Sequence, residues 1–257
     1  SIPKFKIPKF KIDTGVLVDV CFYTGFSIDI IFGLIFLKQK FNNLELIIDY
    51  PLTKNELLEE HYETLGMDYP YKLDFSNIEI NWCYQQIIYP SYFNNLIEKV
   101  SKKNFVVIPI GIETDIGGHA NVLIWDVKNK LIERFEPNGS NPPNTFNYNP
   151  KLLDELLEGK FKDLDPKIKY VRPNEYLPVV GFQMLESSET SKCKKIGDPN
   201  GFCALWCIWW AFYKLKNQNI PSKKLAKDLI KMVKFQNISF KTVIRNFSSQ
   251  ITELRDN

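Results

Sequence analysis

Between Phe105 and Asn138, three short runs dense in β-branched and aromatic residues alternate with polar, turn-forming links. FVVIPIGIE (105–113), HANVLIWD (119–126) and KLIERFEPN (130–138) read as strands, joined through DIGG (115–118) and VKNK (127–130). Links this short predict an antiparallel meander. Asn149-Pro150 followed by KLLDELLEGKF predicts a capped helix, and IKYVRPNEY (168–176) a fourth strand. Residues 184–200 hold Ser187, Ser188, Ser191, Lys192, Lys194, Lys195, Gly197 and Pro199 without an apolar period, and so predict a loop. Directly after them, GFCALWCIWWAFYKLK (201–216) is apolar nearly all round. Such a helix is stable only when packed through the middle of a domain. Two amphipathic helices, about 221–234 and 239–253, follow.

Upstream the pattern is more broken. Residues 1–11 repeat IPKFK twice, and the prolines and lysines predict an extended, wet arm. The apolar stretch from Leu17 to Leu37 has the length of a membrane span but carries Asp19 and Asp29, so it reads as buried core. Residues 53–66 place Leu57, Leu58 and Leu65 on a helical period, which makes His61 a solvated residue of a surface helix. The pattern changes at about Phe105, dividing the chain into an N-terminal elaboration over 1–103 and a core over 104–257 with the C-terminal helices.

Composition narrows the class. A hydrophobic fraction of 44% with 25% charged residues belongs to a folded soluble chain, and 14% aromatics argue against an Ala/Leu helical bundle. Lys and Arg number 33 against 30 Asp and Glu, so no global field demands nucleic acid or an anionic membrane as partner. Five cysteines, an odd number without regular spacing, point to an intracellular reducing compartment. Only Cys203 and Cys207 lie close together and no histidine is near them, so neither structural zinc nor another metal is expected. No signal peptide is visible.

A nucleophilic thiol needs its thiolate favoured, and a helix N-terminus or a neighbouring imidazole supplies that. If Asn200 or Asp198 caps the apolar helix, Cys203 falls in its first turn, where free backbone N–H groups also suit an oxyanion. Cys207, one turn further on, has lost the terminal field. His119 opens a strand after Gly117-Gly118, and a hairpin of 119–126 with 130–137 brings Glu136 close to opposite it. Glu133 and Asp126 are rival orienting acids, but they sit halfway along that hairpin and at its far end.

The string GGHANVLIWDVKNKLIERFEPNG (117–139), then a Gln, then a Gly-Phe-Cys helix at 201–203, resembles the adenovirus-proteinase and SUMO-deconjugating (Ulp-like) superfamily of cysteine peptidases. The FEP-x-G segment at 135–139 is most similar to its viral and giant-virus branch. The resemblance covers about residues 104–216 and implies an α+β, papain-like fold, with residues 1–103 as an elaboration packed on its substrate side. That fold has a central mainly antiparallel sheet and the catalytic Cys at the N-terminus of a buried helix. It also implies hydrolysis of a peptide or isopeptide bond in a ubiquitin-like conjugate or a viral polyprotein, without cofactor, obligatory nucleic acid or transmembrane segment. The family order gives Cys203 as nucleophile, His119 as base, Glu136 as its orienting acid and Gln183 as oxyanion donor, with Asn200 the alternative donor. Two departures stand out. Ala120 replaces the Trp that many relatives carry after the His, leaving Trp82 or Trp125 to wall the substrate channel, and Gln183 precedes Cys203 by twenty residues rather than a few. The IPI strand before GGHA also resembles bacterial Yop-type acetyltransferases, for which Lys192, Lys194 and Lys195 would offer a basic patch. A non-catalytic binding module on the same fold is the third reading.

Overall fold

The computed structural model describes residues 27–41, 46–47, 78–81, 86–89, 93, 95–114, 117–141, 148–188 and 202–256. The IPKFK repeat, the 53–66 helix with His61, Trp82, Asp198, Asn200 and the lysines at 192, 194 and 195 lie outside the described residues.

Among the described residues seven strands form one sheet: β1 (Leu46–Ile47), β2 (Ile78–Asn81), β3 (Gln86–Ile88), β4 (Phe105–Thr114), β5 (Gly117–Asp126), β6 (Leu131–Phe135) and β7 (Lys169–Val171). Their order is β3-β2-β4-β5-β6-β7, with β1 also paired to β4. The long pairs β4–β5 and β5–β6 are antiparallel, which is the expected meander. Shorter parallel pairs join β1 and β2 to β4, and β7 to β6. A parallel neighbour requires a crossover, and the Pro150–Leu164 helix supplies it between β6 and β7. Asn149 caps that helix as expected, its side chain accepting the Leu152 N–H at 3.1 Å. Strands from both sides of residue 104 share the sheet, because β1 and β2 pair directly with β4 and β3 with β2, while β5 takes the opposite edge of β4.

Alternation along the strands builds two cores. Val106, Ile108, Leu123, Trp125 and Ile132 meet Leu153, Leu157 and Phe161 of the crossover helix. Val107, Val122, Ile124 and Phe135 face the Cys203–Lys216 helix, on which the Ser222–Phe235 and Phe240–Asp256 helices also pack. Phe135 stacks on Trp210 with centroids 5.1 Å apart and an interplanar angle of 3°. The Ser27–Lys40 helix joins the second core, as the apolar reading of Leu17–Leu37 anticipates for its described part. It comes so close at Gly33 that a Cβ there would stand 2.7 Å from Ile208 Cγ1. Among the described residues no helix is long and apolar enough to cross a membrane.

Three expectations change. The fourth strand stops at Val171, because Pro173 opens a short helix, Pro173–Tyr176, with the φ that suits a first helical turn. The loop expected from 184 begins as the end of a helix, Phe182–Ser188, anchored by the buried Phe182. The residue before the apolar helix is Phe202, whose side chain makes no capping bond; the expected caps Asp198 and Asn200 lie outside the described residues. Trp125 cannot wall a channel: it is 2% exposed and packs edge-on against Phe161.

Candidate active site

β5 and β6 place the acid and the base. Their last paired residues are Val122 and Phe135, so continuing the ladder sets Glu136 beside Asn121 and leaves His119 diagonal to it. Diagonal neighbours on one face remain within reach of long side chains. His119 Nε2 meets Glu136 Oε1 at 2.7 Å, with both side chains 1% exposed. Register thus gives the contact, although Asn121 rather than His119 is the directly opposite residue. A carboxylate only accepts, so Nε2 carries the hydrogen and Nδ1 is the ring nitrogen left for proton exchange.

Glu136 is saturated by donors. Oε1 also accepts the Asn138 N–H at 3.1 Å and Asn138 Nδ2 at 3.2 Å. Oε2 accepts Asn121 Nδ2 at 2.8 Å and the Tyr148 hydroxyl at 2.7 Å. Burial alone would raise the Glu136 pKa, but the His119 charge and bond, with Arg134 and Asn121, bring it well below the ordinary carboxylate range. Burial pulls His119 the other way, toward the neutral ring; Glu136 and the Cys203 thiol overcome it and hold the imidazolium to well above the usual histidine range.

Cys203 is the first residue of the buried helix, and its thiol lies against the His119 ring, close enough to help hold the charged form. The first intrahelical bond runs from the Trp206 N–H to the Phe202 carbonyl. The N–H groups of Cys203 to Leu205 therefore precede the helical ladder, and no Phe202 side-chain bond takes one up. Cys207 differs. Its thiol donates to the Ala120 carbonyl at 3.6 Å, and burial, with Cys203 and Glu136 nearby, pushes its pKa well above the ordinary thiol value. That bond ties the Cys203 helix to the strand of His119.

Gln183 arrives by a separate route. The segment after Pro178 runs along the turn that follows Glu136: the Gly181 N–H donates to the Asn138 carbonyl and the Gln183 N–H to the Pro137 carbonyl, each at 2.9 Å. Gly139 has φ +102°, a left-handed conformation that favours glycine. Gln183 is buried, and its neighbour Phe182 stacks on Trp206, one turn beyond Cys203, with centroids 5.6 Å apart. The fold therefore brings the segments of His119, Glu136, Gln183 and Cys203 to one end of the sheet.

The rival acids are elsewhere. Glu133 accepts from the Ser222 hydroxyl at 2.7 Å, and Asp126 accepts from Asn129 in the β5–β6 turn. Sequence reasoning missed Asn121, Asn138, Tyr148 and, behind them, a buried Arg134–Asp154 pair. One signal for Asn121 and Arg134 was present: each is a polar residue in a strand, two residues from a site residue and therefore on its face. Among the described residues no cluster of three or more His, Cys, Asp or Glu side chains is placed to hold a metal ion.

Comparison with known proteins adds the following. The chain is 39% identical over 268 residues to an ankyrin repeat protein of Acanthamoeba polyphaga mimivirus. The alignment takes in 100% of this chain but only 35% of that protein, so the chain spans about a third of the curated relative it matches. No protein-family model matches. Among solved structures, the Chlamydia trachomatis effector Cdu1 bound to ubiquitin is similar at 12% identity, covering 83% of this chain and 94% of that one with a TM-score of 0.36. The SUMO protease Ulp1 is similar at 14% identity, with 89% and 79% covered and a TM-score of 0.34. The Legionella pneumophila effector RavZ is similar at 10% identity, with 96% and 69% covered and a TM-score of 0.39.

Proposed function

We propose that the chain is a cysteine peptidase, a thiol hydrolase of the Ulp and adenovirus-proteinase type. The reading rests chiefly on one observation: a cysteine opening a buried helix lies against a histidine whose other nitrogen is held by a buried, donor-saturated carboxylate. Cys203 Sγ, its proton already held on His119 Nδ1, attacks the substrate carbonyl carbon as a thiolate, and the carbonyl π bond opens to an oxyanion. The oxyanion takes the Cys203 backbone N–H and the Gln183 side-chain amide. As the C–N bond breaks, His119 returns the proton to the leaving amine and a thioester remains. Water, deprotonated by His119, then attacks the thioester, the C–S bond breaks and the thiol is restored. Glu136 exchanges no proton; it orients the ring and stabilises its charge.

The substrate we assign is a ubiquitin-like conjugate or a viral polyprotein. Besides the motif order, the burial of the site supports it: Cys203 and Gln183 are each 6% exposed, so a chain reaching them must be slim at the scissile bond, as one with glycine there would be. The test is covalent capture by peptide or ubiquitin-like vinyl-sulfone probes. Adduct formation with the wild type and its loss in Cys203→Ala is the expected result. No adduct with any probe, or an adduct that survives Cys203→Ala, would overturn the reading. Acetylation from acetyl-coenzyme A without hydrolysis would move the chain to the transferase class.

A further inference from the structure

Behind the Glu136 carboxylate lies a buried polar chain that the proposed chemistry does not use. Arg134 is 1% exposed and grips Asp154 with two bonds, Nε to Oδ1 at 2.7 Å and Nη2 to Oδ2 at 3.0 Å. Tyr170 donates to the same Asp154 Oδ1 at 2.7 Å, and Tyr176 donates to the Arg134 backbone carbonyl at 2.7 Å, so the carboxylate that grips the guanidinium and the strand that carries it are themselves held. Its remaining Nη1 donates to Asn121 Oδ1. A guanidinium has no acceptor, so it dictates which end of the Asn121 amide faces it. Nδ2 must then point the other way, onto Glu136 Oε2 and the Ala120 carbonyl.

We infer that Asn121 and Arg134 are positioning residues, which keep the Glu136 carboxylate ionised and aimed at His119 through an amide that Arg134 locks in its donating orientation. The inference rests on the proposed function for its catalytic meaning, but the electrostatics can be tested without turnover. Among the described residues, the charged and titratable groups facing this carboxylate are His119, Tyr148, Arg134 and the Cys207 thiol, with Asp154 and Tyr170 behind Arg134. Of these, only Arg134 places a fixed positive charge near Glu136 that persists when His119 gives up its proton. Without it the buried carboxylate would keep only its neutral donors at that moment, with no positive charge to offset burial.

Asn121→Asp is the informative variant. A carboxylate at position 121 preserves the bond from Arg134 yet cannot donate to Glu136, and it adds a like charge beside it. The chain has two histidines, so His119 can be followed by imidazole NMR across pH. The expected result is an acid-side transition of His119, set by protonation of the carboxylate pair, that moves up by about one to three pH units. The acid limb of kcat/KM should move with it. Asn121→Ala, which removes the amide and its donation to Oε2 without adding a charge, should move the same transition up by less and covers the case in which Asn121→Asp does not fold. An unchanged acid-side transition in either folded variant would overturn the inference. If the transition moves but no substrate is ever hydrolysed, the positioning role stands and the peptidase reading falls.

Discussion

Gly139 and Gly181 meet backbone to backbone: a Cβ on Gly139 would come within 2.5 Å of the Gly181 nitrogen and 2.6 Å of the Pro178 and Val179 carbonyls. This contact holds the Gln183 segment against the turn after Glu136. Gly181→Ala would put a Cβ against the Gly139 nitrogen and should destabilise the protein by about 1–3 kcal/mol, the scale of adding an atom to a filled site. It should also reduce turnover more than stability alone explains, by moving Gln183. Chemical denaturation and steady-state kinetics of the same preparation check both.

The base and its orienting acid separate by mutation. His119→Ala should lower turnover by about 10²–10⁴-fold, the size of a general acid–base contribution. Glu136→Gln keeps an acceptor for the ring, so measurable activity should remain, although its amide nitrogen must face Asn121 and Tyr148 instead of accepting from them. Glu133→Gln and Asp126→Asn, bonded to Ser222 and Asn129, should keep near wild-type turnover. A larger loss in either folded control than in Glu136→Gln would contradict the assignment of the acid.

Stability should depend on pH in a window set by the same pair. Glu136 is lowered on folding, so its contribution is present above the ordinary glutamate value of 4.5 and lost as pH falls through the folded value. His119 is raised, so its contribution is complete below 6.5 and lost as pH rises through the folded value. The two together are complete between 4.5 and 6.5. Urea midpoints measured across pH should show that plateau, and Glu136→Gln should flatten it. A wild-type midpoint still rising above the upper bound would contradict the sign for His119.

Of the two thiols on the central helix, Cys203 should take up a haloacetamide in the native protein and Cys207 only after unfolding, because the latter is neutral, buried and bonded to Ala120. Peptide mapping after brief labelling reads this directly; comparable labelling of both would remove the distinction between them.

Asp154 stands beneath the site as the partner of a buried cation. Asp154→Ala leaves Arg134 charged and unpaired and should cost about 3–5 kcal/mol. Thermal or urea unfolding measures it, and a loss near zero would mean that water reaches the guanidinium.

How far the sequence could be read depended on how local each feature is. The hairpin of His119 and Glu136 was legible because turn length and strand alternation determine pairing, while its register was approximate because the ladder stops at Phe135, one residue short of the acid. The apolar helix declared itself by composition. Its start did not, since Phe202 is no capping residue and polar candidates stood nearby. Gln183 lay in a stretch read as entering a loop, because a seven-residue helix carries too few turns for a period and is held by Phe182 against tryptophans far along the chain. Tyr148 was invisible for a different reason: its bond to Glu136 depends on where the chain returns after the hairpin.

The stack of Phe182 on Trp206 gives this protein an optical handle of its own. Trp206 sits one turn from the thiol, is fully buried, and touches the ring next in sequence to Gln183. Any event that loads Cys203 or shifts the Gln183 segment changes the surroundings of that indole. Intrinsic fluorescence can therefore follow occupancy of the site in real time, with no label attached and no substrate identified beforehand.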